Sequence, residues 1–208
     1  MDISKIPVLK VIVSDDDTGI DQISFVEDPA MMEQWRLFSK QNKQNFKNDE
    51  EMIIYYPVIV ADTPIYRNIP FEHFVVFTKD EIKTIRNRFF KQDKHHLFNE
   101  NHGPVKIDGA YIVESWIKED DKDKSVGMGF NVPNYSWFVG IKIEDVEYWN
   151  TKVKEGKFTG LSMEAFYELD IDSDVIIEQY TKSLLSMNLS DNVLKDAICD
   201  LLKKIEKK

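Results

Sequence analysis

The sequence predicts a mainly β chain with packed helices, an α+β fold built on antiparallel strands. Three observations carry this. Short apolar runs alternate with turn signals through residues 1–170. The hydrophobic period turns helical at two places there, 79–92 and 144–154. A separate amphipathic seam follows, so the chain divides into a domain over 1–170 and a linker with a C-terminal helix over 171–208.

Val8 to Val13 reads as a strand, broken by Asp15-Asp16-Asp17-Thr18-Gly19. Gln22 to Val26 begins a second strand, and Asp28-Pro29 forces a turn. Residues 40–51 (KQNKQNFKNDEE) are polar and read as a loop. Met52 to Val60 is rich in Ile, Tyr and Val and reads as a buried strand, which Pro57 places at an edge or a bend. His73 to Phe77 is a further short strand. Over 79–92, Ile82, Ile85 and Phe89 recur at helical spacing, with Thr78 and Glu81 at the N-cap and N3 positions of a capping box. Gly109 to Ile117 and Tyr135 to Ile143 read as strands, separated by the charged run EDDKDK, a solvated loop. Val146, Trp149 and Val153 make one helical face that stops near Gly156. Phe158 to Leu169 returns to period two: Leu161, Met163, Ala165, Tyr167 and Leu169 share one face, and Gly160, Ser162, Glu164 and Glu168 the other. Ser190 caps a helix over 190–206 whose Leu194, Ile198, Leu201 and Ile205 form a heptad seam too short to persist alone. It is expected to dock on the domain or on a partner.

Composition narrows the function classes. The 208 residues are 42% hydrophobic, enough for a core and against general disorder. With 37 acidic and 27 basic residues the net charge is -10, which argues against a broad grip on nucleic acid. No apolar run approaches the ~20 residues of a membrane helix, and MDISKIPVLK lacks a signal-peptide core. Cys199 stands alone, so neither an internal disulfide nor a cysteine-based zinc site is expected. The expectation is a soluble intracellular protein with no nucleic-acid or membrane partner.

Candidate chemistry rests on few residues. His95, His96 and His102 are possible metal ligands, but adjacent histidines on a strand point to opposite faces and no carboxylate stands at a zinc-like spacing, so no metal and no cofactor are expected. His73 reads as a satisfied, partly buried side chain. His102 sits in Asn99-Glu100-Asn101-His102-Gly103-Pro104, before a strand, where a general base would be held by rigid neighbours. Ser162, in Thr159-Gly160-Leu161-Ser162-Met163-Glu164, points away from the apolar face with Gly160 beside it, and it is not the nucleophile elbow of α/β-hydrolases. Glu164 shares its face and is read as tuning a site or as solvated. Glu114, between Ile112 and Trp116, is either a semi-buried carboxylate that pairs with a cation or an exposed strand residue.

In order and spacing, Asn101-His102, Val113-Glu114-Ser115-Trp116-Ile117, Trp137-Phe138-Val139-Gly140, Trp149 and Gly160-Leu161-Ser162-Met163 resemble the prohead (capsid maturation) serine proteases of tailed phages, over about 96–169. The resemblance implies an assemblin-like antiparallel β-barrel flanked by helices, with Ser162 as nucleophile and His102 as base. It also implies scaffold and capsid proteins as substrates, a homodimer, and work inside the assembling prohead in the host cytoplasm. Gln22-Ile23-Ser24-Phe25-Val26-Glu27-Asp28-Pro29-Ala30 is similar to a strand that follows the nucleophile in those proteases and carries their third catalytic residue. Here it stands first, as in a circular permutation, so strand 21–27 is expected beside the strand of Ser162. The matching position is Gln22, which is no anion. The third member is therefore expected to be Glu114 first or Asp21 second. A head protein that kept the barrel without catalysis is the alternative.

Overall fold

A computed structural model of the chain describes residues 6–14, 19–27, 47–67 and 71–170. Its strands fall into three sheets. The first runs β11 (Glu168–Asp170), β1 (Val8–Ile12), β6 (His73–Val76), β5 (Ile65–Arg67). The second runs β10 (Gly160–Phe166), β2 (Gly19–Val26), β7 (Phe98–Glu100). The third runs β3 (Lys47–Asn48), β4 (Ile53–Ile59), β9 (Trp137–Ile143), β8 (Ala110–Ile117). The α+β class is as the sequence predicts. The closed antiparallel barrel is not: no closed barrel forms among the described residues, and β1–β6 and β2–β7 pair in parallel. Closure needs a continuous ladder. Here Tyr167 interrupts it, packing its ring on Phe77 at 5.6 Å while β10 stays with β2 and β11 passes to β1.

The expected strand 21–27 does lie beside the strand of Ser162, because β2 and β10 pair antiparallel. Two further strand readings gain detail. Pro57 sits at a register shift in β4, beyond the part of β4 that β3 covers, so its missing N–H costs no ladder bond on that side. Of the polar stretch 40–51, residues 47–48 form β3, and 40–46 lie outside the described residues, as do Asp28-Pro29, Asp15 to Thr18 and the helix expected over 190–206.

Helix α1 (Lys79–Lys91) buries Ile82, Ile85 and Phe89 as their spacing requires. Thr78 is its N-cap, but its side chain makes no capping bond and Glu81 Oε2 is buried without a partner, so the capping box is not closed. Core burial holds the helix instead: Phe89 meets Trp137 edge-on at 5.6 Å, and both are fully buried. Each such large apolar side chain contributes about 1.5–3 kcal/mol. The charged run after β8 is not all loop, since Asp123 caps a short helix, α2 (Lys124–Gly127), by accepting from Ser125 N at 2.8 Å. Near 144–154 a short helix, α3 (Val146–Tyr148), opens into a π-helical turn over Trp149–Lys154. The wider turn keeps Trp149 and Val153 buried and leaves Val146 exposed, unlike the single face the sequence suggests.

Candidate active site

The site is laid out by strand register. β2 is the middle strand of its sheet. Ser24 stands opposite Ser162 on one side and opposite Asn99 on the other, and Gln22 stands opposite Glu164. Directly registered residues share a face, so these five side chains occupy one side of the sheet. The other side is apolar, with Ile23, Phe25, Phe98 and Leu161 buried in the core. The alternation along each strand, polar one way and apolar the other, is what fixes this face.

His102 is folded over that face by a strained turn. After β7 the chain turns through Asn101 (φ 49°) and His102 (φ 56°), with Gly103 N donating to Glu100 O at 2.8 Å. Two successive positive φ values are the mark of a type I′ hairpin turn. A non-glycine residue held there costs about 1–3 kcal/mol and persists only when its surroundings enforce it. Asn101 supplies that enforcement: its N–H donates to Phe25 O at 2.9 Å, and its Oδ1 accepts from Glu27 N at 3.1 Å. The turn is thus pinned to β2.

Four side chains then meet. His102 Nδ1 lies 3.1 Å from Glu164 Oε1 and 3.0 Å from Ser24 Oγ. The same Glu164 oxygen accepts from Asn99 Nδ2 at 3.0 Å and from Ser24 Oγ at 3.4 Å. Burial pushes the Glu164 carboxyl up, but hydrogen bonds from Asn99, Gln22 and His102, with the attraction of the imidazole, outweigh it and hold the group below the ordinary glutamate range. Asn99 is nearly fully buried and its Oδ1 has no partner. Turning its amide over would set that oxygen against the Glu164 oxygen, so the carboxylate dictates its orientation.

The structure brings some of the expected residues together and separates others. Ser162 is half-buried on the same face as Glu164 and Ser24. Its hydroxyl makes no hydrogen bond among the described residues, and the serine within hydrogen-bond distance of His102 is Ser24. Glu114 is elsewhere: it accepts from Tyr55 Oη at 2.9 Å and is bound by Lys124 Nζ. That lysine, and less so Tyr55, hold its carboxyl below the ordinary range against the opposing effect of burial. Asp21 is paired with Lys94 at 2.6 Å. Neither carboxylate contacts His102. The sequence reading relied on chain proximity of Glu114 to the histidine, but β8 belongs to the sheet of β9 and β4, whereas His102 leans on the sheet of β2. His73 is buried, with Nδ1 2.7 Å from Phe71 O.

His95 and His96 lie on the turn after α1, not on a strand, and Asp93 joins them with ligand atoms within 4.8 Å of one another. His102 is not part of that cluster. The residues that sequence reasoning passed over are Ser24 and Asn99, while Gln22 was weighed and set aside as no anion. One signal pointed to Ser24, which lies two from Gln22 in the strand expected beside Ser162, hence on one face.

A carboxylate on Nδ1 holds an imidazole with Nε2 free, the arrangement in which a histidine takes a proton from a neighbouring hydroxyl. No curated protein and no solved structure matches the chain. A family model described as "Putative phage serine protease XkdF" matches residues 42–170, a span that carries Asn99, His102, Ser162 and Glu164. With more than half of its length matched, the chain belongs to this family of phage serine proteases.

Proposed function

We propose that the protein is a prohead maturation endopeptidase that cleaves scaffold and capsid-protein segments, and then itself, inside the assembling prohead in the host cytoplasm. Ser162 is its nucleophile, His102 its base and Glu164 the carboxylate that orients the imidazole. The observation that carries this reading is the contact of 3.1 Å between His102 Nδ1 and Glu164 Oε1, on the face that also bears Ser162. Glu114 and Asp21, committed to Lys124 and Lys94, have no part in it.

The chemistry is acyl transfer. The Ser162 hydroxyl proton passes to His102 Nε2 as Oγ bonds to the scissile carbonyl carbon. The C–N bond then breaks, and Nε2 returns the proton to the leaving amine. Water, deprotonated by the same nitrogen, hydrolyses the acyl-enzyme. Glu164 stays ionised and stabilises the imidazolium that forms in each step. Hydrogen bonds between catalytic groups are often long in a resting enzyme, so closure of Ser162 onto Nε2 belongs to the substrate complex. The resemblance of the Gln22 to Ala30 stretch favours a circularly permuted relative of the assemblin-like proteases, working as a homodimer, with no cofactor and no nucleic-acid or membrane partner.

Ser162→Ala is expected to abolish cleavage of scaffold and of the chain itself while changing stability by ~0.5 kcal/mol or less. A fluorophosphonate probe should label Ser162 in the wild type and nothing in the variant. Full proteolysis by Ser162→Ala would end this reading. An intact wild type that is neither labelled nor active would favour a head protein without catalysis. One observation supports a second reading, with Ser24 as nucleophile, because Ser24 Oγ is 3.0 Å from the imidazole. Its complete burial argues against that reading, since no peptide carbonyl reaches it.

A further inference from the structure

We infer that Ser24 is a positioning residue that fixes the ring and tautomer of His102; this rests on the Ser162–His102 reading above. The Ser24 side chain is fully buried, and a buried hydroxyl must spend its proton on an acceptor. Two acceptors are in reach, His102 Nδ1 at 3.0 Å and Glu164 Oε1 at 3.4 Å. The proton goes to one of them, and the choice sets the state of the ring.

Suppose the hydroxyl donates to Nδ1. The ring then carries its proton on Nε2 and has no lone pair there for the Ser162 proton. The bare Nδ1 would also face the Glu164 oxygen at 3.1 Å, acceptor against acceptor. Suppose instead that the hydroxyl donates to Glu164. Nδ1 then keeps its hydrogen, which is shared between Glu164 Oε1 and the Ser24 oxygen. All three contacts become attractive, and the Nε2 lone pair faces outward. Only this second pattern satisfies the three distances together.

Ser24 adds what Glu164 alone does not. It gives the N–H a second, rigid acceptor on the central strand, registered directly against Ser162. Glu164 is a longer side chain and 35% exposed. With the hydroxyl gone, Glu164 keeps its Asn99 and Gln22 bonds, but the ring is held at Nδ1 by the carboxylate alone and can pivot about that single contact. The ring then samples orientations that the paired contact of Nδ1 with Ser24 and Glu164 excludes.

The test is Ser24→Ala, with Ser24→Thr as the variant that keeps the hydroxyl. Ser24→Ala should lower kcat by about 10- to 100-fold, as small misplacements of a catalytic group do, with KM unchanged. Ser24→Thr should recover most of that loss. Nitrogen NMR of the His102 ring reads the tautomer without any catalysis. In a Ser162→Ala background the ring should show the Nδ1–H form, and adding Ser24→Ala should shift it towards a mixture. Unchanged ring signals together with unchanged kcat would overturn the inference and leave Ser24 a packing residue. Fluorophosphonate attached to Ser24 would overturn it in favour of Ser24 as nucleophile. If the wild type cleaves nothing, the protease reading fails, while the ring signals still decide what Ser24 does to His102.

Discussion

Glu164→Gln removes one negative charge and keeps the shape of the side chain. The change falls on the oxygen 3.1 Å from His102 Nδ1. Between unit charges at that separation, an effective dielectric of about 20 gives roughly 5 kcal/mol of attraction for the imidazolium that forms as Ser162 loses its proton. At 1.36 kcal/mol per tenfold that is a factor of up to ~10⁴. The imidazole and carboxylate are 39% and 35% exposed, and solvent screening lowers the value. A loss of ~10²–10⁴ in kcat is the expected range, with KM little changed because ground-state contacts with the peptide are untouched. Stability should fall by about 1–2 kcal/mol, since hydrogen bonds to a charged acceptor are stronger than neutral ones. The assay is steady-state cleavage of a scaffold segment alongside urea denaturation of the same variant. A Glu164→Gln enzyme with near wild-type kcat would refute the reasoning. If Glu114→Gln were instead crippled, the orienting role would move to Glu114, and if neither mattered the site would be a Ser–His dyad.

Glu114→Gln is expected to keep kcat near the wild-type value and to lose at most ~1 kcal/mol of stability, because the pair it breaks with Lys124 is exposed; cleavage rates and urea midpoints check both. Glu164 and Glu114 are both held below the ordinary glutamate range, so the stability they contribute is complete above that range and is lost as pH falls through their lowered values. Melting temperature measured against pH should therefore drop less steeply on the acid side in the double Gln variant, and parallel curves would contradict the assignment. Gly140→Ala places a Cβ 2.7 Å from Tyr55 Cε1 and 3.2 Å from Glu114 Cβ; it should cost about 1–3 kcal/mol by overpacking, read by denaturation, and an unchanged midpoint would show that the Tyr55 ring gives way freely.

How far this site was legible in the sequence depends on which distances the chain encodes. Period two along 158–169 placed Ser162 and Glu164 on one face, and the structure agrees, because alternation is a local property of a strand. The turn at 101–103 was legible as the rigid setting of a candidate base, though not its positive φ values. The third residue was expected at Glu114 because it follows His102 in the chain, but chain order says nothing about which sheet a strand joins, and the carboxylate that meets His102 is Glu164. Lys124 curls back to Glu114 by way of a short helix inside a run that looked like loop. The barrel was misread for a related reason: individual strands announce themselves, whereas the break at Tyr167 that separates two sheets looks like any other position of the alternation.

The residues that act on His102 come from three separated stretches, and the strand that joins them lies outside the matched span of 42–170. β2 stands between β10, which carries Ser162 and Glu164, and β7, which carries Asn99 and leads into His102. Without β2 those strands share no ladder in this sheet, the turn loses its two bonds to Phe25 and Glu27, and Nδ1 loses the Ser24 contact. Glu164 would also lose the Gln22 amide that helps keep it ionised. Among the described residues, the backbone ladder that sets the strand of Ser162 in register with the strand leading to His102 thus runs through residues 19–27. That stretch belongs to the same structural unit as Ser162, His102 and Glu164 on physical grounds, and the Ser24 and Glu164 variants probe the two ends of the same joint.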